Sequence, residues 1–429
     1  MTADPRRAID AVWRIESPRL IAGLARMVRD VGLAEDLAQD ALVAALQQWP
    51  ESGVPVNPGA WLMAVGKRRA LDHFRHAAMV ERKQEELGRD LELQLEADAG
   101  TGDLEGEIDD VGDDLLRLMF VACHPVLSTE ARVALTLRLL GGLSTPEIAR
   151  AFLVPEATVA QRIVRAKRTL AEARVPFQVP TGPDRDARLT SVLEVIYLVF
   201  NEGYSATAGD DWVRPELCED ALRLGRILAE LVPNEPEVHG LVALMEIQAS
   251  RLHARIGPSG EPVLLLEQDR TRWDRLLIRR GLAALDRAER LGGAFGPYAL
   301  QAAIAACHAR ARTPEETEWE RIVALYDALA AIAPSPVVEV NRAVAVGMAF
   351  GPEAGLEVVD ALASEPSLKG YHLLPSVRGD LLAKLRRFEE AHEEFVRAAS
   401  LTENTRERAL LLERAAASFR EVTPPARGE

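Results

Sequence analysis

Residues 144–170 read STPEIARAFLVPEATVAQRIVRAKRTL, two short helices joined by a tight turn. Ser144, with Glu147 three residues on, forms a capping box: the serine accepts from a backbone N–H and the glutamate reaches back. Ile148, Ala149 and Phe152 give the first helix an inner face, and Pro155 suits the start of the next, where its missing N–H costs nothing. In that second helix Val159, Ile163, Ala166 and Leu170 recur at steps of four, three and four, so they pack inward. Thr158, Gln161, Arg162, Arg165 and Arg168 then project outward, with Lys167 as a further cation. Residues 150–174 hold six basic and two acidic side chains, a net of +4. A preceding helix from Thr129 to Leu140 completes a three-helix unit. Exposed Arg and Gln can contact base edges in a major groove, while flanking cations hold phosphates. The stretch is a helix-turn-helix with a cationic outer face.

The whole chain is nevertheless acidic, with net charge −15 over 429 residues. Much of that excess lies in residues 81–114, which hold 14 Asp/Glu against 3 Lys/Arg, a net of −11. This interval reads as a solvated linker. Before it, WLMAVGKRRALDHFRH (61–76) carries Lys67, Arg68, Arg69 and Arg75 against Asp72 alone, a net of +3. Beyond a Debye length of about 8–10 Å screening separates such patches, so two basic surfaces can act within an acidic chain. Net repulsion should still make the chain alone a poor DNA binder.

The N-terminal segment is helical throughout. Leu33, Leu37, Ala41, Ala45 and Trp49 form an apolar stripe, and Glu35, Asp36, Gln39 and Asp40 fall off it as an acidic, polar face. That face fits either a solvated surface or a docking site for a basic partner. PESGVPVNPGA (50–60) breaks the helix, and Trp61, Leu62, Val65, Ala70, Leu71 and Phe74 mark the next one. Cations beside aromatics suit single-stranded nucleic acid, because unstacked bases need a flat apolar partner; Trp61 and Phe74 also fit as core.

In order, AEDLAQDAL, WLMAVGKRRALDHFR, an acidic linker and the helix-turn-helix resemble the extracytoplasmic-function sigma factors of the sigma-70 family, over residues 10–175. The resemblance implies a region-2 domain at 1–80, an acidic linker at 81–114 and a region-4 helix-turn-helix domain at 115–175. It implies core-polymerase docking through Glu35, Asp36, Gln39 and Asp40. It places −10 promoter contacts at Asn57, Trp61, Lys67, Arg68, Arg69 and Arg75. It places −35 contacts at Thr158, Gln161, Arg162, Arg165, Lys167 and Arg168. Arg68 stands where many members carry Asn, which leaves the −10 preference open. Such a protein would direct core RNA polymerase to promoter DNA by capturing a flipped base, without chemistry.

Residues 176–429 exceed a minimal member of that family. They read as helix after helix, with weak tetratricopeptide-like spacing: Gly379, Ala391, Phe395 and Ala398, with Ala354, Val358 and Ala361 repeating the latter part 37 positions earlier. The expectation is all-α, two small sigma domains followed by an α-solenoid of helical hairpins that regulates them and offers a groove to a peptide or protein. NEGY (201–204) and LLLEQDRTRWDR (264–275) stand out, and also resemble a subgroup of these factors with a long helical extension. Arg270, Arg272, Trp273 and Asp274 read as fixing an interface, either within the solenoid or onto the sigma core. Glu202, Glu267 and Asp269 would serve an enzyme only with partners that the sequence does not identify. No GxGxxG, P-loop or HExxH occurs in this half, so neither enzyme activity nor cofactor is expected. Cys123, Cys218 and Cys307 lie far apart, and Cys123-His124 has no partner cluster for a metal. No apolar run of about 18 residues and no signal-type N-terminus is present, so a cytoplasmic protein with no membrane partner is expected. The alternative to a sigma factor is a polymerase-independent helix-turn-helix regulator with a repeat sensor.

Overall fold

The computed structural model describes residues 5–81 and 106–422. Packing divides the chain into two compact units, 1–198 and 199–429.

In the first unit α1 (Pro5–Val28), α2 (Val31–Ser52) and α3 (Pro58–Glu81) pack on one another, with α4 (Gly106–Ala122) against α1. Leu20, Ile21 and Leu24 of α1, Leu37, Ala38 and Ala41 of α2, Leu62 and Ala70 of α3 and Leu118 to Phe120 of α4 are buried together in its core. Asp30 caps α2, its Oδ1 accepting the Leu33 N–H at 2.8 Å. Gly53, with φ +82, ends that helix in a conformation that favours glycine. Of the acidic stretch 81–114, residues 82–105 lie outside the described residues. Its last part is not linker but the opening turns of α4, because Leu115, Leu116, Leu118 and Met119 extend a helix whose N-terminal end favours acid.

The helix-turn-helix follows as α5 (Thr129–Leu139), α6 (Thr145–Ala151) and α7 (Glu156–Glu172). Pro155 is the N-cap of α7 rather than its first residue. The α5–α6 turn uses Gly142 at φ +69; a Cβ there would stand 3.3 Å from Arg14 Cα of α1. Helix α8 (Pro183–Tyr204) contains the division between the units. Its Ser191 donates to the Cys123 carbonyl at 2.7 Å, and Arg132 of α5 reaches Ser191 and Glu194.

The second unit is a succession of helices, each packed on its sequence neighbours: α9 (Pro215–Leu231), α10 (Pro236–Ala249), α11 (Arg275–Arg290), α12 (Pro297–Arg310), α13 (Trp319–Ile332), α14 (Pro336–Phe350), α15 (Pro352–Ala361), α16 (Leu373–Lys384), α17 (Phe388–Leu401) and α18 (Thr405–Val422). Gly379 of α16 exists as glycine because the Phe395 ring of α17 sits on it; an added Cβ would come within 3.0 Å. Ala391, Phe395 and Ala398 are buried with Leu381 and Leu382 in one cluster. The end of this array returns to its beginning. Strands β1 (Ala208–Gly209) and β2 (Glu403–Asn404) pair in parallel. The buried Asn404 amide donates to the carbonyls of Ala206 (3.0 Å) and Asp211 (2.8 Å), while its oxygen accepts the Arg406 and Glu407 N–H groups. The described residues are all-α apart from this short pairing and an isolated bridge, and no helix among them is long and apolar enough to cross a membrane.

Candidate nucleic-acid interface

The capping box forms as expected: Ser144 N–H donates to Glu147 Oε2 at 2.7 Å, and Ser144 Oγ accepts the Glu147 N–H at 3.4 Å. Glu147 also takes Arg14 of α1 at 2.7 Å. Burial pushes the Glu147 carboxyl up, but the hydrogen bonds from Ser144 and Arg14 outweigh it and hold it below the usual carboxylate value.

On α7, Val159, Ile163, Ala166 and Leu170 are buried. Gln161, Arg165 and Arg168 are exposed at i, i+4 and i+7 and so share one face; half-buried Thr158 precedes them on the same row. Arg168 pairs with Glu172 at 2.6 Å within its own helix. Arg162 is half-buried. Lys167 does not join the outward row. It follows Ile163 by four residues and precedes Leu170 by three, so it flanks the inward stripe and turns toward α2.

There it meets Glu35, which is only 2% exposed, so this member of the acidic face of α2 is not solvated. Lys167 forms an ion pair with it, Arg138 Nε of α5 donates to its Oε1 at 2.6 Å, and Gln39 donates to the same oxygen at 2.7 Å. Burial raises the Glu35 carboxyl, yet the adjoining Lys167 and Arg138 charges prevail and keep it ionised below its ordinary range. Asp36 and Asp40 remain exposed, Asp36 lying 3.7 Å from Lys167. The acidic face of α2 and the cationic helix of the helix-turn-helix therefore occupy each other in part.

On α3, Asn57 caps the helix, its Oδ1 accepting the Ala60 N–H at 3.0 Å. Half-buried Trp61 stacks edge-on against Trp49, with ring centroids 5.2 Å apart. Trp61, Val65, Arg68, Asp72 and Arg75 follow one another along a single stripe at steps of four, three, four and three, so an aromatic ring and two exposed cations share a face. Arg69 is exposed beside that stripe and Lys67 is half-buried. The sequence reasoning passed over Val54 and Val56, which the loop before α3 leaves exposed, Val56 completely. Their signal was present: two valines set among prolines, where no helical face could bury them.

In the second unit the four residues read as one interface separate. Arg270 and Trp273 are buried; Arg272 and Asp274 are exposed. Asp274 caps α11, accepting the Leu276 and Leu277 N–H groups at 2.8 and 3.1 Å. Glu202 pairs with Arg214 and accepts from Thr207 Oγ1 at 2.9 Å, whereas Glu267 and Asp269 are exposed, Asp269 capping a short 3-10 turn. Cys123 is buried 3.3 Å from Thr136 Oγ1, and burial pushes its thiol up to about 11. No group of three or more His, Cys, Asp or Glu among the described residues could hold a metal ion.

Residues 13–79 match the family model of sigma-70 region 2 and residues 117–170 that of sigma-70 region 4. Residues 188–289 match a family of unknown function, DUF6596. A probable ECF RNA polymerase sigma factor SigI of Mycobacterium tuberculosis is 28% identical over 177 residues, 41% of this chain and 59% of that protein. An RNA polymerase sigma-H factor of Pseudomonas aeruginosa is 26% identical over 172 residues, 40% of this chain and 89% of the other. An uncharacterized protein of Rhizobium meliloti, R00370, is 45% identical over 405 residues, 94% of each chain. No solved structure matches. The chain is thus a member of the sigma-70 family, carrying regions 2 and 4 in its first 170 residues, and over nearly its whole length it belongs to one family with R00370.

Proposed function

We propose that this sigma-70 family member is a cytoplasmic RNA polymerase sigma factor of the extracytoplasmic-function type. It brings core polymerase to a restricted set of promoters, and its helical C-terminal half modulates that activity. In this role Gln161, Arg165 and Arg168 read the −35 element in the major groove, and the Trp61–Arg68–Arg75 face with the exposed Val54–Val56 loop takes the melted −10 strand. Asp36, Gln39 and Asp40 dock on the polymerase together with Glu35.

One observation carries the reading furthest: Lys167 of the DNA-reading helix is ion-paired with Glu35 of the docking helix. A chain closed on itself in this way reads promoters poorly alone. Core polymerase, by taking α2, releases the reader and supplies the non-specific affinity that net charge −15 denies it.

The test is transcription from genomic promoter fragments by core polymerase with the full chain. Arg165→Gln should lower promoter-specific output about tenfold or more, the order expected for one lost base contact. Its co-purification with core polymerase should not change. Wild-type chain that fails to associate with core polymerase, yet binds duplex promoter by itself, would make it an autonomous helix-turn-helix regulator instead.

A further inference from the structure

Unit 199–429 contains a cluster of cations without counter-charges. Arg251 follows α10, Arg255 lies one turn further on, and Arg270 sits in the short 3-10 stretch before α11. Arg251 and Arg270 are 7% and 6% exposed. Aromatic rings separate the three. The Arg255 guanidinium lies 3.9 Å from the Tyr204 ring centroid and 5.2 Å from that of Trp212. That of Arg251 lies 5.8 Å from both Tyr204 and Trp273, and that of Arg270 lies 4.9 Å from Trp273.

Among the described residues none of the three arginines has a carboxylate within ion-pair distance. The acids that feel them are engaged or remote. Glu407, near Arg255, is held by His372 and Thr402; Glu315 and Glu316 lie exposed beside Arg270. Glu202 is committed to Arg214. Arg270 gives Nη1 to the carbonyls of His308 and Ala311 at 2.7 and 2.8 Å, but its Nε has no partner. The Nε groups of Arg251 and Arg255 and the indole nitrogens of Trp212 and Trp273 are also buried without one.

Five buried donors without a protein acceptor thus stand in one place, where folded proteins leave few unsatisfied. Cations taken from water without counter-charge are costly. The field of the cluster is visible in its neighbours. Burial, then Arg251 and Arg270, force His308 down to about 3, so it stays neutral. Burial pushes the Tyr204 phenol up, but Arg251 and Arg255 overcome it and bring the phenol below its usual value.

We infer that the Tyr204–Arg251–Arg255–Arg270 cluster is a binding site for a phosphate group. Buried guanidinium and indole N–H groups call for an acceptor, and a cluster of guanidinium groups favours a phosphate dianion over a carboxylate. Tyr204, Trp212 and Arg255 are half-buried, so the site meets solvent on their side. All three, with Arg251, Arg270 and Trp273, fall in the segment that matches the family of unknown function. NEGY and LLLEQDRTRWDR thereby acquire a common purpose: Tyr204 and Trp273 are the plates between which the arginines are held. The site stands whether or not the promoter reading does.

The probe is inorganic phosphate, titrated calorimetrically into the full chain in phosphate-free buffer, with glycerol phosphate in a parallel arm. Saturable one-site binding is expected, with a raised unfolding midpoint. Arg255→Gln, at a half-buried position that the fold tolerates, should weaken binding at least tenfold. Trp212→Phe keeps the ring, removes one donor and should weaken it severalfold. Tighter binding of glycerol phosphate than of free phosphate would make the ligand a phosphate ester, the reverse order the free ion. Absence of saturable binding at millimolar concentration of either probe, or an unchanged affinity in folded Arg255→Gln, would overturn the inference.

Discussion

The two units treat buried charge in opposite ways. In the first, each strongly buried carboxylate is answered. Glu35 meets Arg138 and Lys167, and Asp114 meets Arg117 at 2.6 Å and Arg26 at 3.3 Å. In the second, Glu202 and Glu246 are paired with Arg214 and Arg226, yet Arg251, Arg255 and Arg270 have aromatic rings and neutral oxygens beside them and no carboxylate within ion-pair distance. A matched pair draws its stability from both partners and suits a contact that forms and breaks. An unmatched cation is held against its desolvation by the surrounding fold, and its balance closes only when an anion arrives. The difference separates a contact between regions from a site for a ligand.

The largest effect that would test this contrast is in the first unit. Arg138→Met leaves buried Glu35 with Lys167 as its remaining close cation and Gln39 as a neutral donor, and removes a donor to the Leu143 carbonyl, 3.2 Å away. Breaking one side of a buried pair costs about 3–5 kcal/mol. A fall of that order in urea-unfolding free energy is expected, together with greater protease sensitivity between α2 and α7. A change below about 1 kcal/mol would mean that Glu35 is solvated by other means and the contact is loose.

A smaller effect should follow in the second unit. Arg251→Met removes a buried cation that has no carboxylate, so the lost Tyr204 contacts are offset by relief of desolvation. In phosphate-free buffer its unfolding free energy should stay within about 1 kcal/mol of wild type. With millimolar phosphate the variant should fall behind, because only the wild type gains by binding. A loss of about 3 kcal/mol without phosphate would show Arg251 to be an ordinary structural residue.

The sequence made the helix-turn-helix legible because its signals are local. A serine three residues before a glutamate, and four apolar residues on one stripe, depend on helical geometry alone. The basic face of α3 was readable for the same reason, as was the helical nature of the C-terminal half. The fate of Glu35 was not. Periodicity shows that it leaves the apolar stripe of α2, but not that Arg138, 103 residues later, waits beside it. The separation of Arg270, Arg272, Trp273 and Asp274 was equally out of reach: near neighbours in sequence, two of them buried and two exposed. Asp274 did carry a local signal, passed over in reading it as an interface residue: an aspartate before RLLIRR is a helix cap by rule. The cation cluster collects residues from four segments between 204 and 273, and no window of sequence contains it.

The smallest expected effect is one of pH, and its sign differs between the units. The Glu35 carboxyl is held below its ordinary value of 4.5 in the fold. It therefore contributes stability that is complete above that value and fades as pH falls through the lower folded one. Glu237 is the counterpart in the second unit. It accepts the Tyr298 and Ala299 N–H groups at the start of α12, at 2.8 and 3.2 Å, but burial dominates and pushes its carboxyl up. The folded state then binds that proton more tightly than the unfolded chain. The cost of its charge is in full force above the raised value and vanishes as pH falls below 4.5. Glu35→Gln should flatten the acid limb of unfolding midpoint against pH, whereas Glu237→Gln should steepen it, because the variant loses a term that offsets acid destabilisation. If both substitutions move the limb in the same direction, the two carboxylates share one environment and the contrast between the units fails at this point.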